Sequence, residues 1–163
     1  MLMNPRLSAL RCIRCASLWS PDDYPEGCPS CLAAGHPASL ECCYDPAAED
    51  GAIPLPVLAP ITLGEGATPT LEAMDLARAE GIGQLWLKCE SANPTGSHKD
   101  RMAAQLVSRA RLAGATRVAA ASSGNAGVSL AAYCAAAGLQ ADIAITRNCP
   151  PPVSYTHLRA HET

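Results

Sequence analysis

An α/β fold with a parallel sheet, preceded by a small metal-stapled module, is predicted by three observations. Two C-x2-C pairs lie close together near the start of the chain, in a segment with little hydrophobic content. Later, residues 84–146 run strand, helix, strand, helix, strand with short links, the order that builds a parallel sheet with right-handed crossovers. Two polar loops, Ser91–Ser97 and Ser122–Gly127, fall where a strand gives way to a helix. Ligands of such sheets bind at that edge.

Cys12-Ile13-Arg14-Cys15 and Cys28-Pro29-Ser30-Cys31 form a C-x2-C-x12-C-x2-C array. Each pair can turn both sulfurs toward one point, and four thiolates complete the closed tetrahedral set of a structural zinc site. A segment this short has no large core, so metal binding supplies its folding energy. The same ligands also suit an iron site, whereas a redox role asks for a single pair near a βαβ unit. His36, in a Gly-His-Pro loop, is a solvated loop residue.

Pro46 to Pro60 is rich in Pro and Ala without a sustained period and forms a linker. Leu63-Gly64-Glu65-Gly66-Ala67-Thr68-Pro69-Thr70-Leu71 is a turn-rich entry segment, followed by a short helix near Glu72–Glu80. Gln84–Glu90 alternates as a strand, with Leu85 and Leu87 on one face and Trp86 and Lys88 on the other. In Asn93-Pro94-Thr95-Gly96 the proline fixes φ and the glycine opens positive φ. Ser97 caps the helix that follows, whose apolar stripe is Met102, Ala103, Leu106, Val107 and Ala110. Ala113-Gly114-Ala115 closes that helix, Arg117–Ala121 is a short buried strand, and an alanine-rich helix runs from about Val128 to Ala137. Gly138 ends it, and Ala141–Thr146 is the last strand.

Lys99 and Lys88 are the only two lysines in the sequence. Lys99 falls in a first helical turn, where the helix dipole disfavours an ammonium by a few tenths to about 1 kcal/mol. The same field favours the neutral amine that attacks a carbonyl, as in Schiff-base chemistry. Lys88, in a strand, is a snorkelling edge residue. In Ser122-Ser123-Gly124-Asn125, small residues, two hydroxyls and a helix start suit a carboxylate or phosphate.

The composition is 48 % hydrophobic and 17 % charged with a net charge of −3. Neither a basic face for nucleic acid nor an apolar run long enough for a bilayer is present, and Met1–Arg6 lacks a signal core, so the cytoplasm is the expected location. Residues 153–163 back-translate onto a transposon-end sequencing adapter read in frame, so they are expected to be a non-native tail. The natural sequence is then expected to continue beyond residue 152 in a longer protein. The domains expected are 1–46, a zinc ribbon; 47–152, the first part of a catalytic domain; and 153–163, the tail.

The run Glu90-Ser91-Ala92-Asn93-Pro94-Thr95-Gly96-Ser97-His98-Lys99-Asp100-Arg101, followed by Ala121-Ser122-Ser123-Gly124-Asn125-Ala126-Gly127, resembles the fold type II pyridoxal-phosphate enzymes. Together with the Gly64–Pro69 entry and the cysteine array, it is most similar to the threonine synthases, whose zinc ribbon precedes the catalytic part. In the ribbon Ala16 and Leu32 stand where such knuckles commonly have Gly, and Cys42 and Cys43 match its closing strand rather than extra ligands.

The resemblance implies pyridoxal 5'-phosphate as cofactor, held as a Schiff base by Lys99, which then serves as acid and base. It implies that Asn125 bonds the cofactor's ring hydroxyl and that Ser122, Ser123 and the backbone at Gly124 hold the substrate carboxylate. His98 replaces the Phe usual in threonine synthases and is placed beside the cofactor phosphate. Asp100 and Arg101 match the motif and serve the helix as well as the chemistry. Zinc on Cys12, Cys15, Cys28 and Cys31, an amino-acid substrate and a homodimer are implied likewise. The activity implied is conversion of O-phosphohomoserine and water to threonine and phosphate. The cofactor-phosphate loop and the residue facing the pyridine nitrogen are not found before the tail, so the chain by itself is expected to be inactive. A dehydratase, a diaminopropionate lyase or a cysteate synthase-like enzyme shares the cofactor logic, and a zinc-ribbon binding module is the non-enzymatic alternative.

Overall fold

The computed structural model describes residues 2–22, 24, 26–45, 55–58 and 60–145. The chain forms two compact units, Met1–Leu58 and Ala59–Thr163. Residues 46–54 of the expected linker, with the expected boundary after residue 46, and the expected tail at 153–163 lie outside the described residues.

In the first unit β1 (Leu2–Met3) pairs antiparallel with β5 (Val57–Leu58), while β2 (Leu7–Cys12) is central between β3 (Leu18–Trp19) and β4 (Leu40–Tyr44). Leu10 lies opposite Trp19 on one side and Cys42 on the other, which places Cys42 and Cys43 in the closing strand as expected. The five-residue helix α1 (Pro29–Ala33) begins with Pro at a position where a missing N–H costs nothing. Sulfur makes one cluster of this unit, Cys12, Cys28 and Cys31, flanked by Trp19, Ala38 and Leu40, while Leu7 and Val57 are also buried.

The two departures from Gly in the ribbon have different outcomes. Ala16 adopts φ 59°, the left-handed conformation that a Cβ makes costly by roughly 1–2 kcal/mol. Leu32 lies inside α1 and is not among the positive-φ residues, because the second cysteine pair is presented by a helix start rather than a second knuckle. Gly27 is required at its place: at φ +85° a Cβ would stand 2.3 Å from the Ala38 carbonyl oxygen, which accepts the Cys28 N–H at 2.8 Å.

In the second unit the entry segment ends in a strand that the turn-rich sequence conceals. This β6 (Thr70–Glu72) continues through helix α2 (Met74–Ala79) to β7 (Trp86–Lys88), and the two strands pair antiparallel with Leu71 opposite Leu87. The expected strand at 84–90 is thus shorter and belongs to a hairpin rather than to the parallel ladder. The positive-φ turn at Gly81 after α2 reverses the chain and lets β7 return along β6.

The parallel order holds for the last three elements. β8 (Arg117–Ala121), α4 (Asn125–Ala137) and β9 (Gln140–Ala144) form a βαβ unit with Arg117 opposite Gln140 and Ala121 opposite Ala144. β8 is half-buried rather than buried throughout: Val118 and Ala120 face the core, while Arg117, Ala119 and Ala121 are exposed. α4 begins three residues earlier than periodicity suggests and ends at Gly138 in the left-handed conformation, as expected. α3 (Lys99–Leu112) packs on α4 through Ala103, Ala104 and Val107 against Leu130, Tyr133 and Cys134, all buried. Small side chains on α3 let the helices approach closely. Among the described residues no helix is long and apolar enough to cross a membrane.

Candidate active site

A 3-10 turn at Glu90–Ala92 leads into the Asn93–Gly96 turn, closed by the Gly96 N–H on the Asn93 carbonyl at 2.8 Å. The Ser97 hydroxyl accepts the Lys99 N–H at 3.0 Å and so caps α3, although His98 intervenes. Lys99 is the first residue of α3 and is partly buried; its ammonium has no hydrogen bond or ion pair among the described residues. His98 is exposed beside it. Lys88 differs: its ammonium donates to the Thr68 carbonyl. The structure therefore leaves Lys99 as the lysine with an unengaged head group.

The two residues after Lys99 anchor it. Asp100 is fully buried and accepts the Thr95 N–H at 2.7 Å, the Thr95 hydroxyl, and the Ser129 hydroxyl of α4 at 2.6 Å. Arg101 grips Glu90 with Nε and Nη2, both at 2.8 Å, and donates to the Gly66 carbonyl at 3.1 Å. Asn93 completes this second net: it donates to a Glu90 carboxylate oxygen at 2.9 Å and accepts the Gly66 N–H at 3.0 Å.

Arg101 holds the Glu90 carboxyl down at about 2, against an ordinary 4.5, with help from Asn93 and Thr68. The unfolded carboxyl protonates near its ordinary value while the folded one stays ionised, so the contribution is complete above about pH 4.5 and is lost as pH falls toward 2. Glu90→Gln is therefore expected to flatten the dependence of thermal stability on pH across that window. An unchanged slope in melts recorded at a series of pH values would refute this.

The entry segment is tied to the same helices. Burial raises the Glu65 carboxyl, but hydrogen bonds from Tyr133 and from Thr62 and Leu63 outweigh it and hold it below the ordinary range. Burial, then the Glu65 carboxylate, push the Tyr133 phenol upward, so it stays a donor, at 2.6 Å from Glu65 Oε2.

In the second loop the Ser122 N–H donates to the Ala144 carbonyl at 3.0 Å. The Ser122 hydroxyl accepts the Gly127 N–H at 3.0 Å and the Gly124 N–H at 3.3 Å. Ser122 is thus used by the loop itself, capping α4 and advancing its start to Asn125. Ser123 and Asn125 are exposed, and the Asn125 side chain has no hydrogen bond among the described residues. The first-turn N–H groups of Asn125 and Ala126 have no partner there either, and they add to the positive end of the helix dipole.

The cysteine array converges as its spacing predicts. One ligand atom from each of Cys12, Cys15, Cys28 and Cys31 lies within 4.8 Å of the others. The Cys12–Cys31 and Cys15–Cys28 sulfurs are each 3.7 Å apart. A tetrahedral zinc with bonds of about 2.3 Å sets its sulfurs about 3.8 Å apart, so the donor set fits that ion. The Arg14 and Cys15 N–H groups point at the Cys12 sulfur at 3.3 and 3.4 Å. The Ser17 hydroxyl holds the Cys15 thiol down at about 6, while burial pushes Cys31 up to about 12.

A family model described as pyridoxal-phosphate dependent enzyme matches residues 61–161, which include both loops and Lys99. The chain belongs to the pyridoxal-phosphate-dependent enzyme family. Among similar proteins, the threonine synthase of Methanosarcina acetivorans is 36 % identical over 146 residues, 80 % of this chain and 35 % of that protein. The threonine synthase of Methanocaldococcus jannaschii is 46 % identical over 78 residues, 48 % of this chain and 19 % of the relative. This pyridoxal-phosphate-dependent family member thus spans about a third or less of the length of these two relatives. Solved structures agree on the fold. A pyridoxal 5'-phosphate-dependent aspartate racemase has a TM-score of 0.51 at 26 % identity, covering 59 % of this chain and 31 % of that one. An O-acetylserine dependent cystathionine beta-synthase from Helicobacter pylori gives 0.53 at 20 % identity, covering 64 % and 36 %.

Sequence reasoning passed over Thr95, Ser129 and the Glu65–Tyr133 pair. The available signal was polarity out of place: Ser129 and Tyr133 interrupt an alanine-rich helix on its buried face.

Proposed function

We propose that the protein is a threonine synthase-type lyase acting, as the whole protein, on O-phosphohomoserine and water to give threonine and phosphate. The observation that carries the reading is Lys99: an unengaged, partly buried amine at a helix start, beside an anchored turn. Relatives named threonine synthase, 36–46 % identical over the stretches matched, support the choice within the family.

Pyridoxal phosphate, when bound, supplies the electron sink for such a replacement. Lys99 Nζ would hold it covalently and, once released, carry a proton to and from the substrate. The Asn125 amide would bond the ring hydroxyl. Ser122, Ser123 and the backbone at Gly124 would hold the substrate carboxylate, with the first-turn N–H groups of α4 beside them. His98 would stand beside the cofactor. Zinc on Cys12, Cys15, Cys28 and Cys31 would be structural, since four thiolates leave no open position.

Borohydride reduction in the presence of pyridoxal phosphate, followed by peptide mapping, tests the lysine. The expected pyridoxyl group is on Lys99, and Lys99→Ala reduces labelling to background. Label confined to Lys88 would overturn the assignment. For the reaction, phosphate release from O-phosphohomoserine by the whole protein is the expected result; activity on serine without such release would point to a dehydratase instead.

A further inference from the structure

Helix α4 carries three polar side chains one turn apart, Asn125, Ser129 and Tyr133, at i, i+4 and i+8 on one face. The lower two are bound to other parts of the unit: Tyr133 to Glu65 of the entry segment, and Ser129 to Asp100 of α3. Asn125, the topmost, is exposed at the helix start. The Ser129–Asp100 bond therefore sets the rotation and height of α4 against the first turn of α3. One turn above Ser129, about 6 Å along the axis, stands Asn125; one residue before Asp100 stands Lys99.

The partners of Asp100 are distinctive. Its carboxylate is 0 % exposed, and its hydrogen bonds come from the Thr95 N–H, the Thr95 hydroxyl and the Ser129 hydroxyl, all neutral donors. The Thr95 and Ser129 oxygens are also 3.0 Å apart, closing a triangle. A buried carboxylate is costly to desolvate, and a neutral residue would pack α3 on α4 without that cost. What the carboxylate adds is multiplicity: it accepts from the Pro-Thr-Gly turn before Lys99 and from α4 at once, which an apolar side chain cannot do.

We propose that Asp100 is a positioning residue for Lys99: through Thr95 and Ser129 it fixes the Lys99 turn in register with α4, so that the amine and Asn125 address the same ligand. The proposal rests on the reading of Lys99 as the cofactor lysine.

The test uses the whole chain with pyridoxal phosphate, borohydride and peptide mapping, taking Lys88 as internal reference. The variants are Asp100→Asn, Ser129→Ala, and the pair Thr95→Val and Thr95→Ser, the first of which removes the hydroxyl at constant shape while the second keeps it. Amide exchange at Thr95 is measured in parallel. The wild type is expected to label Lys99 in preference to Lys88, with the Thr95 amide protected. Asp100→Asn, Ser129→Ala and Thr95→Val should each lower the Lys99:Lys88 ratio roughly tenfold or more, as misplacement of a reacting group does. Thr95→Ser should restore it, which a loss of packing alone would not produce. If Asp100→Asn does not fold, Ser129→Ala and the Thr95 pair decide the matter. Should the wild type show no preference for Lys99, the cofactor reading falls and takes the proposal with it. Should the wild type prefer Lys99 and the folded variants keep that preference, the proposal alone falls.

Discussion

Cys28→Ser, or treatment with a strong chelator, is expected to abolish amide protection across β2, β3 and β4. The buried side chains of this cluster are Cys12, Cys28 and Cys31, and the hydrophobic groups packed on it are only Trp19, Ala38 and Leu40. With Leu7 and Val57 the only other buried hydrophobic side chains among the described residues of this unit, this set is expected to offset little of the entropy of ordering the strands, whereas zinc binding in small modules supplies an apparent 10–16 kcal/mol, roughly, near neutral pH. Removing the Cys28 sulfur takes away one of four donors and the partner of Cys15 at 3.7 Å. Metal analysis is expected to give one zinc per chain for the wild type and less for the variant, and exchange of the strand amides should approach the rate of an unfolded peptide. Persistent protection in the chelated protein would show that the strands stand without metal, contrary to this account.

The second large effect is expected at Tyr133. Its ring is fully buried between α3 and α4, so Tyr133→Ala should destabilise the second unit by about 3–5 kcal/mol, the range for large aromatic deletions in a core. Tyr133→Phe keeps the ring and removes only the donor to Glu65, and should cost roughly 1–2 kcal/mol. The two variants separate packing from tethering: with Phe, the loss of protection should concentrate at Thr62–Gly66, while with Ala it should spread through α3 and α4. Denaturant midpoints and residue-resolved exchange read both. Equal costs for Ala and Phe would place the energy in the hydrogen bond and not in the ring.

Local chemistry made much of this legible beforehand. The Pro-Thr-Gly turn, the Ser97 cap and the glycine stop at Gly138 act over three or four residues, and the structure places each as expected. The cysteine spacing is likewise a local constraint, and its four sulfurs meet. What escaped was settled by partners distant in sequence. β7 alternates like any strand, and nothing in Trp86–Lys88 says that β6 is its neighbour. Val118 and Ala120 look like members of a buried strand because alanines on both faces carry no polar mark; exposure of Ala119 and Ala121 follows from what covers the sheet. Ser122 is expected at a substrate carboxylate from its hydroxyl in a small-residue loop; that its oxygen also accepts the Gly124 and Gly127 N–H groups, and so orders the start of α4, is a detail only the fold discloses. Asp100 is a similar case, a residue known from the motif whose three hydrogen bonds only the fold discloses.

The three consecutive residues Lys99, Asp100 and Arg101 divide one helix turn among three duties. Asp100 is fastened inward to α4, Arg101 is fastened sideways to Glu90 and Gly66, and Lys99 is left unfastened. Ordering the main chain of this turn is therefore complete before any ligand arrives. What is left to order on binding is one side chain, about 2 kcal/mol of rotamer entropy for a lysine, rather than a loop of several residues at 1–2 kcal/mol each. A ligand that meets Lys99 loses little affinity to disorder, and the entropy of assembling the turn falls on the folding of this unit instead of on each binding event.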